Sequence, residues 1–138
     1  MIARPGRFVI CGVPNSGKST YVRERARPGD LVWDLDHVAS VIGYGGSWTP
    51  GRRLSWPVAK AALVMRDALV EWLASVETLG DARVYLIITD PQVAKDCAEI
   101  IGAQVVDLSG RNGALRADAS GSSSWRWRDA QRHEGAVI

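Results

Sequence analysis

The sequence predicts an α/β domain whose mainly parallel sheet is covered by helices on both faces, and three observations carry that expectation. Short apolar runs alternate with longer segments of helical character along most of the chain. A glycine-bearing loop separates the first apolar run from the first helix. Acids stand where later runs end, at Asp34 and Asp36 and again at Asp90. Parallel strands joined by helical crossovers of one hand bring such run ends to the carboxyl edge of the sheet, where ligands of these sheets bind.

Phe8 to Cys11 is a short apolar run that reads as a buried strand, and Lys18 to Ala26 reads as the helix after it. Arg27-Pro28-Gly29-Asp30 is a turn, after which Leu31-Val32-Trp33 forms a second strand ending at Asp34-Leu35-Asp36. Val38 to Ile42 is expected to make a helical turn. Gly43 to Gly51 carries too much glycine and proline for regular structure and reads as a mobile loop. Pro57 sits early in the strongest helix, where Val58, Ala61, Ala62, Met65, Leu69, Trp72 and Leu73 recur at three- and four-residue steps and are expected to face the sheet. Arg83 to Thr89 is a third strand, stopped at Asp90-Pro91. A helix over Val93 to Ile101 closes at Gly102, and Gln104 to Leu108 is a fourth strand. Arg111 to Asp118 has helical character. Residues 1–119 are therefore expected to form one domain. Residues 120–138 form a tail, with the flexible Ser120 to Ser124 leading to a tryptophan and arginine element.

Composition narrows the classes. A chain of 138 residues, 46% hydrophobic, has room for one core. Cys11 and Cys97 lack the spacing of a zinc site or a disulfide framework and read as buried thiols in a reducing compartment. The first apolar run is too short for a signal peptide or a membrane span, so a soluble, cytoplasmic protein is expected. A net charge of +2 gives little general attraction to a polyanion. Most of the basic residues are arginine, which suits phosphate but equally follows from genome composition.

The most specific feature is Gly12-Val13-Pro14-Asn15-Ser16-Gly17-Lys18-Ser19, followed by Thr20. The spacing GxxxxGK[ST] lets the backbone curl so that successive amides point at phosphate oxygens, and the following helix adds its positive end. Lys18 would contact the β- and γ-phosphates, Ser19 would offer its hydroxyl to Mg²⁺, and Gly17 would allow close backbone approach. A nucleoside triphosphate, ATP with Mg²⁺, is the implied ligand.

The other candidates carry two readings each. Asp36, and more weakly Asp34, could hold the Mg²⁺ shell or accept the proton of an attacking hydroxyl; Asp36 could instead cap a helix beginning at His37. If both lie in an extended strand they point to one side. Asp90 could complete the metal site or form a turn before Pro91. Arg111 and Arg116 could steady charge on a transferred phosphoryl group or decorate a helix surface. Trp125-Arg126-Trp127-Arg128 could stack on single-stranded nucleic acid, though docking of the tryptophans on the domain is preferred.

These residues resemble the P-loop kinases of the polynucleotide kinase type and the small P-loop, AAA-like ATP-binding proteins often met in bacteriophage genomes. The likeness covers Gly12 to Ser19, Asp34-Leu35-Asp36, Ile87-Ile88-Thr89-Asp90, and Val106-Asp107-Leu108 leading to Arg116. It implies a P-loop NTPase-type three-layer α/β/α sandwich. It also implies phosphoryl transfer from Mg-ATP to a hydroxyl of a nucleic-acid end, nucleoside or nucleotide, with Asp36 as the activating carboxylate and Arg116 as a lid arginine. Val38, Ala39 and Ser40 stand where such kinases often carry an arginine, and Ala119 or Ser120 where they carry a second lid arginine, leaving Arg52, Arg53 or Arg66 as substitutes. The alternative is an ATP-binding or slowly hydrolysing module that acts through a protein or DNA partner.

Overall fold

The computed structural model describes residues 3–44 and 55–109. It contains β1 (Arg7–Cys11), α1 (Lys18–Arg25), β2 (Leu31–Trp33), α2 (Leu35–Ile42), α3 (Trp56–Ser75), β3 (Val84–Ile88), α4 (Pro91–Ile101) and β4 (Gln104–Asp107). All four strands are parallel, in the order β2-β3-β1-β4. This is the α/β architecture the alternation of runs predicts. The expected helix over Arg111 to Asp118, most of the glycine-rich loop and the 120–138 tail lie outside the described residues.

Alternation along β3 divides the core. Val84, Leu86 and Ile88 face one side, with Val9 and Cys11 of β1, and there meet α3 and α4 through Leu63, Val70, Leu73, Ala94, Cys97 and Ile101. Tyr85 and Ile87 face the other side with Ile10, against Val22 of α1 and Leu108, and Phe8 stacks on Tyr85 at 5.5 Å between ring centroids. A strand buried on both faces reads as an unbroken apolar run, as Val84 to Ile88 does.

Two helix boundaries differ from expectation. Helix α2 begins at Leu35, with extended Asp34 before it, so Asp34 and Asp36 do not share one strand face. The polar Asp34 ends the strand and Leu35 turns inward to the core, which starts the helix three residues before Val38. Helix α4 begins at Pro91, whose fixed φ suits a first helical position. It ends, as expected, at Gly102, where φ is 71°.

The face of α3 is also corrected. Ala59, Ala62, Leu63, Arg66, Val70 and Leu73 are buried, whereas Ala61, Met65 and Trp72 are exposed. Apolar residues cover all of α3 but the side that carries Lys60, Asp67 and Glu71, so their recurrence does not say which part of that wide apolar surface packs. Arg66 resolves it, because its guanidinium lies over the Trp33 ring, 5.9 Å from the centroid, and hydrogen-bonds Asp67.

Two arginines serve the fold at the opposite edge of the sheet from the glycine loop. Arg7, 2% exposed, donates to the carbonyls of Leu73, Val76 and Ile101, and Arg4 donates to Leu73, Ala74 and Val76. These carbonyls end α3 and α4, where the helix dipole favours a cation. Burial, and then the charge of Arg4, lower the pKa of Arg7 below the usual arginine value. Arg7→Ala should lower the free energy of unfolding by about 3 kcal/mol in urea titration, because buried carbonyls lose charged donors.

Candidate functional site

The carboxyl ends of β1 and β3 are neighbours, with Cys11 level with Ile88. The chain leaves β1 for α1 on one face and leaves β3 for α4 on the other. Loops that diverge in this way open a crevice between two adjacent strands, the usual ligand position of a parallel sheet. Residues 12–17 and Thr89-Asp90 line that opening, and the Leu108 amide, donating to the Cys11 carbonyl at 2.7 Å, closes its β4 side.

Within the loop, the Ser16 amide donates to the Val13 carbonyl at 3.1 Å, which makes the curl. Asn15 and Gly17 take positive φ, 64° and 95°. Asn tolerates this region, and at Gly17 the volume a Cβ would occupy is open. A Cβ at Gly12 would instead run into the Ser16 hydroxyl, with Ser16 Cβ at 3.2 Å and Leu108 Cβ at 3.4 Å, so Gly12 is required for packing. Sequence spacing alone assigns it to phosphate.

Helix α1 starts at Lys18 without a side-chain cap. Ser16 is 6% exposed, yet its Oγ has no hydrogen-bond partner. A buried hydroxyl beside uncapped helix amides is an unsatisfied polar set of the kind that a bound anion completes. Lys18, 8% exposed, folds back to donate from Nζ to the carbonyls of Gly12 and Val13, both at 2.8 Å. Burial lowers its ammonium pKa, while Cys11, Asp34 and Asp36 pull it upward. Ser19 and Thr20 are exposed on the first turn of α1. Val13 and Pro14 are half-buried along the loop.

The carboxylates separate by role. Asp34 and Asp36 both act on Lys18 through their charge, so the structure brings the end of β2 and the start of α2 to the loop. Burial pushes the Asp34 carboxyl up, against the Asp36 backbone amide and the charges of His37 and Lys18. An acid raised in the fold above its ordinary value loses its proton first in the unfolded chain. Stability therefore falls as pH rises from about 3.8 to the folded value. Asp34→Asn should accordingly be more heat-stable than the parent at pH 7, with the gap closing below about pH 4.

Asp36 lies exposed in the first turn of α2, where its negative charge complements the helix end. Asp90 caps α4, with Oδ1 accepting from Gln92 N at 2.9 Å and Val93 N at 3.2 Å. Its charge also reaches Cys11. Asp90→Ala should cost about 1 kcal/mol in thermal or urea unfolding through loss of that cap.

Asp107 was missed as a candidate, although the same signal marks it: an acid closing the apolar run Val105-Val106. It stands opposite Cys11 and accepts from the amide and hydroxyl of Ser109, which hold its carboxyl below the usual range. Ser16 was placed only by the motif, since nothing in the sequence distinguishes an orphaned hydroxyl from a paired one.

Cys11 and Cys97 are both buried and not joined in a disulfide. The Cys11 thiol is pushed up by burial and then by Asp107. Among the described residues, no group of three His, Cys, Asp or Glu gathers as a metal site, and no helix is long and apolar enough to cross a membrane. Arg111, Arg116, Arg52, Arg53 and Trp125 to Arg128 lie outside the described residues. Arg66 is buried with its guanidinium over the Trp33 ring. Comparison with protein-family models, curated proteins and solved structures finds no match.

Proposed function

We propose that this chain is a Mg-ATP-dependent phosphotransferase that moves the γ-phosphate to a hydroxyl of a nucleic-acid end, nucleoside or nucleotide. The observation that carries the phosphate-binding half is the buried, unpartnered Ser16 hydroxyl beside the uncapped start of α1. A polyphosphate would satisfy both, and Lys18 would exchange its two loop carbonyls for phosphate oxygens. Cofactor contacts fall to Gly12, Val13, Pro14, Asn15, Ser16, Gly17, Lys18, Ser19 and Thr20.

The residues present fit a magnesium ion that arrives with the nucleotide. Ser19 offers one hydroxyl, with Asp36 and Asp90 on the same edge, and Mg²⁺ ordinarily takes few protein ligands beside phosphate and water. When bound, the ion would neutralise charge between the β- and γ-phosphates.

The transfer half rests on Asp36. Its carboxylate lies within electrostatic reach of Lys18 and would accept the proton of the attacking hydroxyl as that oxygen bonds to the γ-phosphorus and the bond from the γ-phosphorus to the β–γ bridging oxygen breaks, ADP leaving. Arg116 is the proposed lid cation.

The test is label transfer from γ-labelled ATP to a panel of 5′-hydroxyl oligonucleotides, nucleosides and nucleotides. Transfer to one of these classes supports the kinase. Hydrolysis with no acceptor labelled contradicts it and favours a nucleotide-binding module.

A further inference from the structure

Helix α3 is apolar over most of its circumference, and the described residues bury one side of it. On the opposite side Ala61, Val64, Ala68 and Trp72 stand in line at three- and four-residue steps, with Met65 along one border. Val64, Met65 and Trp72 are 52%, 47% and 48% exposed. From Ala61 to Trp72 the strip runs about 16 Å. A contiguous apolar strip on a helix surface marks an interaction face.

The strip is complementary to itself. Two copies of α3 laid antiparallel about a two-fold axis level with Arg66 bring Trp72 of one copy over Ala61 of the other. Val64 and Met65 then lie against Ala68, so each large side chain meets a small one, as close helix packing requires. Lys60 and Glu71 share the other border of the strip, and the same operation brings Lys60 of each copy to Glu71 of its partner. Asp67, nearest the axis on that border, is already held by Arg66 of its own helix at 2.9 Å, which tempers repulsion between the two copies. A parallel pairing would set Trp72 level with Trp72 and put the Lys60 and Glu71 borders of the two copies on opposite sides of the interface.

We propose that the outer face of α3 is the two-fold interface of a homodimer, with a second copy of this chain as its occupant. The interface lies on the side of the helix away from the sheet and leaves the crevice beside residues 12–17 outside it.

Sedimentation velocity of the full chain between about 1 and 100 µM tests the proposal. The parent should sediment as a dimer that dissociates on dilution within that range. Trp72→Lys and Ala68→Glu should each raise the dissociation constant by about thirtyfold or more, as loss of a central contact does, with far-UV circular dichroism unchanged. Lys60→Glu and Glu71→Lys should each weaken the dimer, and the two together should restore it. A parent monomeric at about 100 µM overturns the proposal. So does a dimer indifferent to both Trp72→Lys and Ala68→Glu, or a charge-swapped double variant no tighter than the single ones.

Discussion

Lys18→Met should lose ATP affinity by at least about a hundredfold in isothermal titration calorimetry, while its circular dichroism spectrum stays that of the parent. Lys18 is the only cation that the described part of the loop supplies to a triphosphate, and hydrogen bonds from charged donors in a partly desolvated site contribute about 1.5 to 3 kcal/mol each. The side chain stands 8% exposed with two carbonyls as its hydrogen-bond partners, so the replacement must keep its volume, and methionine does. A second consequence follows from the direction of its pKa shift. A lysine whose folded value is depressed binds its proton more weakly in the fold than in the unfolded chain. Its charge therefore opposes folding at lower pH, and stability rises as pH climbs from the folded value toward 10.5. That rise should be present in denaturant titrations of the parent and absent in Lys18→Met.

Asp36→Asn should reduce phosphoryl transfer by about a thousandfold while leaving ATP affinity within about threefold of the parent. General-base catalysis contributes about a hundred- to ten-thousandfold, and the amide preserves the size of the side chain while removing its basicity. Asp36 is exposed on the first turn of α2, so the loss should appear in turnover with the thermal midpoint nearly unmoved. Asp34→Asn serves as the contrast, since it removes a half-buried charge and should move the thermal midpoint upward. A transfer rate that followed Asp34 and ignored Asp36 would reassign the base.

The strand ends were legible because burial on both faces leaves a signature that composition alone displays, as in Val84 to Ile88. The loop was legible because its spacing is a backbone requirement, and the positive φ of Gly17 and the crowding at Gly12 show two separate reasons for glycine. The packed side of α3 was not legible. Its apolar residues spread over more than one side, and the deciding contact, Arg66 on Trp33, joins residues far apart in the chain. The start of α2 was misplaced for a related reason: Asp34 and Asp36 fit a strand end as well as a helix entry, and only the inward turn of Leu35 decides. Arginine was the least legible residue type. Arg4 and Arg7 close helix ends far from the loop, which their sequence neighbours do not reveal. The four acids at the sheet edge likewise look alike in sequence, yet Asp90 caps a helix, Asp107 forms a turn with Ser109, and only Asp34 and Asp36 act on Lys18.

Amide chemical shifts of ¹⁵N-labelled protein during titration with Mg-ATP test the central claim most directly, because they report on each backbone donor of the loop separately. The amides of Val13, Asn15, Ser16, Gly17, Lys18 and Ser19 should move farthest and saturate together, with the same residues responding to inorganic triphosphate. Shifts confined to other parts of the chain, or none at millimolar Mg-ATP, would contradict it.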